Sequence, residues 1–293
     1  MTVTTCLNAT VLMSGADHFS DQQAINAYMD KRVSIDVARA AQEHAAIRAA
    51  LEGAGVRVVA VDPPADCQDG VYTANWALVR GDLAVLSTLP SARKGEEPYA
   101  ERVLRDLGKG VVRVPGGMHF SGQGDALPCG GYLLAGSGFR TDPAAHRFVA
   151  DQLGYEVVSL QAVPKRGLFG WGRPVINKDS GWPDSLFYDI DLAIAVLRHD
   201  LIAWCPAAFT RASQARIRSL AGVEGIEVSF EEATRGFACN LVSTGETVVM
   251  SPRAPRLREA IEARGLDTVT IEASELRKGG GYIRCCTLTL DND

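Results

Sequence analysis

What is scarce in this 293-residue chain narrows its reading first. No stretch approaches the ~18 consecutive apolar residues that a membrane-spanning helix needs. The opening Met1-Thr2-Val3-Thr4-Thr5-Cys6 has neither the basic flank nor the apolar core of a secretory leader. Membrane partnership and export are therefore not expected. Positive charge is not in surplus: Lys and Arg total 30 against 35 Asp and Glu, for a net charge of −5. General affinity for nucleic acid or an anionic surface is not expected either. The seven cysteines, at 6, 67, 129, 205, 239, 285 and 286, are odd in number and lack paired metal-ligand spacing. The expectation is a reduced, cytoplasmic protein with no metal and no organic cofactor. No Gly-x-Gly-x-x-Gly follows the first apolar run to open a helix, which argues against a doubly wound nucleotide-binding fold. Linkers and low-complexity segments are missing too, so 1–293 reads as a single domain.

Against these absences, 46% hydrophobic residues supply a sizeable core, and their order repeats. Short apolar runs ending in small or turn residues occur at 10–14, 82–87, 132–136, 200–204 and 246–250. Each is followed by a helix-like segment, near 34–53, 96–107, 143–153, 208–220 and 254–264. Second strands follow at 56–61, 111–114, 156–160, 226–230 and 269–272. The chain reads as β-α-β five times, at irregular spacing. Polar, glycine-containing segments recur after most second strands, at 66–76, 116–125, 165–191, 234–240 and 277–287. Five such units arranged radially would gather those segments at one axis, whereas an open doubly wound sheet would produce the same alternation without gathering them.

The last of these segments carries the chemistry: Gly279-Gly280-Gly281-Tyr282-Ile283-Arg284-Cys285-Cys286-Thr287. Glycines permit close backbone approach and positive φ, and Arg284 beside Cys285 favours thiolate. The alternative is a C-terminal strand after a tight turn, with both cysteines as small buried hydrophobes. If the segment is a strand, Cys285 and Cys286 point to opposite faces, and Cys286 is structural.

The string Asp69-Gly70-Val71-Tyr72-Thr73-Ala74-Asn75 resembles the Asp-x-Val-Phe-Thr-Ala-Asn pattern of the guanidino-group-modifying (pentein) superfamily, in its dimethylargininase and arginine dihydrolase-like branch. Ala24-Ile25-Asn26-Ala27-Tyr28-Met29, Arg93-Lys94-Gly95-Glu96-Glu97, Gly138-Phe139-Arg140-Thr141 and Arg284-Cys285-Cys286-Thr287 are similar to further strings of that branch, in order along nearly the whole chain. The resemblance implies a five-bladed α/β propeller of five pseudo-repeated βαβ units. It implies Cys285 as nucleophile, Asn75 facing the guanidino group, and Asn26 and Asp69 at the polar end of the substrate. Arg93 and Arg140 are implied on the carboxylate side, and Asp125 stands in the family's Glu-Gly-x-Gly-Asp pattern. A thiolate suits this chemistry because the resonance-stabilised guanidinium carbon is a poor electrophile, and arginines grip a carboxylate bidentately.

Two positions depart from the branch. Ser121 stands where the catalytic glutamate belongs, in Ser121-Gly122-Gln123-Gly124-Asp125. Asp189 stands where the catalytic histidine belongs, in Phe187-Tyr188-Asp189-Ile190-Asp191. An aspartate donates a proton poorly at neutral pH unless its pocket raises its pKa. His119, two residues from Ser121 and on the same face if the segment is a strand, is a candidate relocated base; His199 reads as a surface residue. Three readings stay open. The first is a cysteine enzyme acting on a guanidino, amidine or related C–N group of an amino-acid-like substrate with re-tuned acid/base chemistry. The second is a conventional dimethylarginine or arginine hydrolase, or an amidinotransferase, using Asp189 for histidine. The third is a non-catalytic binding protein on the same fold. The expected partner is a small amino-acid-like molecule, with a homodimer left open.

Overall fold

The computed structural model describes residues 6–165 and 173–292. The polar segment at 165–191 therefore falls partly outside the described residues, as do the first five residues of the chain.

Among the described residues, five sheets of three strands organise the fold. In the second, β3 (Ala77–Arg80) turns through Gly81, at φ 52°, into antiparallel β4 (Leu83–Leu86). α2 (Glu96–Asp106) then crosses over to β5 (Gly110–Arg113), parallel to β4 with Leu83 opposite Gly110. The same plan builds β6 (Ala126–Cys129), β7 (Tyr132–Ser137), α3 (Pro143–Leu153) and β8 (Glu156–Gln161). It recurs in β9 (Ile194–Arg198), β10 (Leu201–Trp204), α4 (Arg211–Arg218) and β11 (Glu224–Glu227). The fifth copy is β12 (Val242–Ser243), β13 (Thr247–Met250), α6 (Pro255–Glu262) and β14 (Asp267–Thr270). An extra short helix, α5 (Phe230–Arg235), precedes it where the sequence suggested the end of a strand at 226–230.

The remaining sheet joins the two ends of the chain. β1 (Thr10–Ser14), α1 (Val37–Gly53) and β2 (Arg57–Val61) form a parallel unit, and the hairpin position is filled by β15 (Leu288–Thr289), with Leu288 opposite Leu12. The hairpin-position strands of successive sheets also touch: β15 meets β3, β6 meets β9, and β9 meets β12.

Helix starts follow their residues. Asp36 accepts from Arg39 N–H at α1, Thr210 from Ser213 N–H at α4, and Ser229 from Glu232 N–H at α5. Pro143 and Pro255 occupy first-turn positions where a missing N–H costs nothing. Burial falls off across each sheet. Ala77, Leu78 and Val79 of β3 are fully buried, whereas Gly110 and Arg113 at the ends of β5 are exposed. The polar loops that precede the hairpin strands are thus carried on the most deeply buried strands. Among the described residues, no helix is long and apolar enough to cross a membrane.

Candidate active site

Each of the five sheets sends one segment to a common cleft, just before its hairpin strand: Asn75 before β3, Ser121–Asp125 before β6, Asp189–Asp191 before β9, Asn240 before β12 and Cys285 before β15. The glycine triplet makes the last segment fit. Gly280 has φ 89°, and a Cβ there would lie 2.6 Å from Asn26 Oδ1. A Cβ on Gly281 would lie 2.4 Å from Tyr72 Cε1. The chain then enters a turn, not the expected strand: Cys286 N–H donates to Tyr282 O at 3.2 Å and Thr287 N–H to Arg284 O at 3.0 Å. Cys286 is fully enclosed, and burial pushes its thiol pKa up.

Cys285 is gripped from two sides. Its Sγ donates to Asp191 Oδ2 at 3.2 Å, and Asn240 Nδ2 lies 3.1 Å from the same sulfur. Asn240 Oδ1 accepts from Cys285 N–H and from Tyr282 N–H at 3.1 and 3.0 Å, which fixes the turn. Burial first, then the Asp191 and Asp189 carboxylates, hold the Cys285 thiol well above its ordinary pKa. Burial and the neighbouring Asp189 charge raise Asp191 to about 8. Asp125 also lies well above the usual carboxylate range, through burial and then Asp189. Burial thus favours the neutral thiol at Cys285 and the neutral carboxyls at Asp191 and Asp125.

The other expected residues divide. Asn75 Nδ2 donates to Asp189 Oδ2 at 2.8 Å and to Ser121 Oγ at 3.0 Å, so Asn75, Ser121 and Asp189 form one contact set. Asp189 Oδ2 also lies 3.5 Å from Arg140 Nη1. Arg140 spreads over the Tyr188 ring at 4.1 Å, a cation–π contact that leaves most of its donors for a ligand. Arg93 is different. It is clamped by Glu96 at 2.7 and 2.8 Å, reaches Asn75 Oδ1 at 2.7 Å, and donates to the carbonyls of Asp69 and Tyr72. Its fork is largely spent on holding Asn75 and the 69–72 turn. Asn26 donates to Gly279 O, and Asp69 accepts from Gln68. Burial raises Asp69 to about 6. Asp125 stands behind the cleft, where its Oδ1 accepts from Ile190 N–H at 3.1 Å.

His119 is not brought to the cleft. Gly116 and Gly117 break the extended run, the imidazole pairs with Asp142 at 3.2 Å, and it lies against Trp182 at the half-exposed rim. Residues that sequence reasoning passed over complete the site: Asp191 and Asn240 on the sulfur, and Tyr72 and Tyr188 on the walls. The spacing Asp189-Ile190-Asp191 held the only signal for Asp191, and Asn240 is the last residue of a recurring polar segment.

Ile25, Asn26, Asp69, Asn75, Arg140 and Cys285 are among the residues that enclose the cleft, whose free space of about 10 Å³ has room for one water-sized group. Three carboxylate oxygens in this region, Asp69 Oδ1, Asp189 Oδ1 and Asp191 Oδ1, are buried without a hydrogen-bond partner. Unpaired buried carboxylate oxygens are costly, and a planar cation bearing several N–H groups would satisfy them. Among the described residues, no group of three or more His, Cys, Asp and Glu could hold a metal ion.

The profile of the family described as N,N dimethylarginine dimethylhydrolase, eukaryotic, matches residues 15–291. The N(G),N(G)-dimethylarginine dimethylaminohydrolase of Mycobacterium tuberculosis is 34% identical over 276 residues, covering 93% of this chain and 82% of that protein. A bifunctional arginine dihydrolase/ornithine cyclodeaminase of Nostoc sp. is 30% identical over 283 residues, covering 94% of this chain but 37% of the longer relative. The solved N-terminal domain of ArgZ, a cyanobacterial arginine dihydrolase bound to product, superposes with a TM-score of 0.85 at 28% identity, covering 97% of each chain. A dimethylarginine dimethylaminohydrolase from Pseudomonas aeruginosa shares the fold, with a TM-score of 0.73 at 20% identity over 95% of this chain and 98% of that one. With a profile match along nearly its whole length and a relative above 30% identity, this chain belongs to the dimethylarginine dimethylaminohydrolase family within the guanidino-group-modifying superfamily.

Proposed function

We propose that the protein is a cysteine-dependent hydrolase that cleaves a guanidino C–N bond of an amino-acid-like substrate, built as one domain whose five sheets are the blades of an α/β propeller. The observation that carries this reading is the meeting of Cys285 Sγ with Asp191 at 3.2 Å in a region holding unpartnered carboxylate oxygens on Asp69, Asp189 and Asp191. The strand order, the β15 closure and the contacts between successive hairpin strands support the propeller.

Asp189, tied to Asn75 and Arg140, is suited to hold the guanidinium. Asp191, on the sulfur, is suited to move the proton. When the cation enters, its charge favours the ionised form of Asp191, which then accepts the Cys285 proton. Sγ adds to the guanidinium carbon, and the C–N bond to the leaving amine breaks as that amine takes the proton back from Asp191. An amidino-thioether on Cys285 remains. Water then gives its proton to Asp191 and its oxygen to the same carbon. The C–S bond breaks, the thiol recovers the proton, and a ureido product leaves. Arg140 serves the substrate carboxylate, and Asp69 with Asn26 its amino end. The Ser121 hydroxyl is neutral and cannot supply the charge of a glutamate, so the cation is balanced by aspartates.

Turnover is tested with arginine, monomethylarginine and dimethylarginine as separate substrates. The expected result is release of ammonia or methylated amine together with a ureido product, lost in Cys285→Ala and reduced at least 10²-fold in Asp191→Asn. Tight binding of these compounds by the wild-type protein without any amine release would instead identify a silent binding protein.

A further inference from the structure

A second cavity, of about 40 Å³, lies beside the first and shares no lining residue with it. Leu127, Val196 and Leu241 contribute apolar wall; Arg284, Gln123, Asn8 and Asn292 contribute polar groups, with Asn292 Nδ2 turned to Val79 O at 2.8 Å. We propose that this cavity is a binding site for a small inorganic anion of chloride size, held by Arg284 and Gln123.

The donor set carries the inference. Gln123 is fully buried, and its amide orientation is fixed because Oε1 accepts from Thr289 N–H at 2.7 Å. Its Nε2 therefore points away from that bond, and it is buried without a partner. An orphaned donor in a closed interior is costly, and it calls for an acceptor. Arg284 is 6% exposed and spends Nη1 on Asn8 Oδ1 at 3.1 Å and Thr289 Oγ1 at 3.0 Å. Among the described residues its other guanidinium nitrogens have no hydrogen-bond partner. Asn8 cannot answer either group, because its Oδ1 is already shared by Arg284 and Thr289 while its Nδ2 donates to Ser243 O. No carboxylate lines the cavity. The space suits one small anion with a water or two, and it is too small for a phosphate ester or an amino acid. Burial lowers Arg284 to about 10.

The site has a consequence for the thiol. Asp191 and Cys285, when ionised, favour the charged form of Arg284. An anion in the cavity offsets the Arg284 charge and so disfavours the Cys285 thiolate. Chloride would then stabilise the fold and slow the cysteine at once.

Full-length protein is titrated with sodium chloride or bromide against sodium gluconate, an anion too large for the cavity, at constant ionic strength. The expected result is a saturable, halide-specific rise in Tm of roughly 2–3 °C at tenfold excess over Kd. Iodoacetamide alkylation of Cys285 should be slower in chloride than in gluconate. Crystals grown in bromide should show an anomalous peak within hydrogen-bonding reach of Gln123 Nε2 and Arg284. Gln123→Glu, which puts a carboxylate at the anion position, should remove the halide response. If that variant fails to fold, the anomalous map of the wild-type protein decides. Only water in the cavity, or equal behaviour in halide and gluconate, would overturn the proposal. A bromide peak seen at molar salt without halide-specific stabilisation would overturn it too.

Discussion

At the scale of single residues, the thiol and the carboxyls around it compete for protons, and that competition is measurable. Asp191 rises to about 8 and Asp69 to about 6, both because burial disfavours the charged form. Their unfolded values lie near 3.9. A folded-state pKa above the unfolded one contributes stability that is fully present below about pH 4 and is lost as pH rises, first through 6 and then through 8. The empty protein should therefore melt at a lower temperature at pH 8.5 than at pH 5.5, and Asp191→Asn should flatten that slope. A guanidinium ligand reverses the balance by favouring the carboxylates. Calorimetry of arginine binding to Cys285→Ser at pH 7, in buffers of differing ionisation enthalpy, should report net proton release. Heats independent of buffer would count against a protonated Asp191. Cys285, Asn75 and Arg140 were legible because they sit in ordered strings with a recognisable pattern. Asp191 was not, since nothing separates it from Asp189 until the fold brings it within 3.2 Å of Sγ. His119 failed for a local reason: the strand that would have turned it towards Ser121 ends before Gly116-Gly117, and Asp142 captures the ring.

At the scale of elements, two devices shape the cleft. β7 runs past Asp125 with no side chain at Gly136, where a Cβ would stand 1.9 Å from Asp125 Oδ1. The Ile190 methyl, at 2.4 Å, closes the same space, and the Asp125 carboxyl that would have to move is buried and held by Ile190 N–H. Gly136→Ala should cost more than about 2 kcal/mol by displacing a buried carboxyl, which a denaturant titration would read; a loss within about 0.5 kcal/mol would contradict the packing account. The second device is the loop over the cleft. Ala24 N–H donates to Asp179 Oδ2 at 2.9 Å, Asn177 Nδ2 donates to Ala24 O at 3.0 Å, and Lys31 pairs with Asp179 at 2.8 Å. With so little free space in the cleft, a ligand enters only when residues such as Ile25 and Asn26 shift. Asp179→Ala should loosen that staple, speeding alkylation of Cys285 and raising KM with little change in kcat. Unchanged alkylation kinetics would show that entry lies elsewhere. The central strands, parallel strands and crossover helices were readable from their apolar periodicity. The hairpin strands β3, β6, β9, β12 and β15 were not: they are only two to five residues long and lead straight on from polar loops, so no period develops.

At the scale of the whole molecule, five copies of one small sheet each contribute a loop that none could use alone. β15 closes the first sheet with the last of the described strands, and the residue three positions before it is Cys285, the proposed nucleophile. Closure of the fold and placement of Cys285 are therefore one structural event, and the cysteine is fixed by Asn240 and Asp191 from two other sheets. The repeat was visible in the sequence, whereas the convergence of the five loops rests on tertiary contacts that no local pattern records. Everything proposed for the chemistry depends on Sγ of Cys285 bonding to the guanidino carbon. The most direct measurement is intact-protein mass spectrometry of an acid-quenched reaction with arginine or a methylated arginine. The account predicts an adduct of substrate mass less the departing amine, mapped by peptide digestion to Cys285, absent in Cys285→Ser and present in Cys286→Ala. Amine release that proceeds without any adduct and survives Cys285→Ser would contradict it.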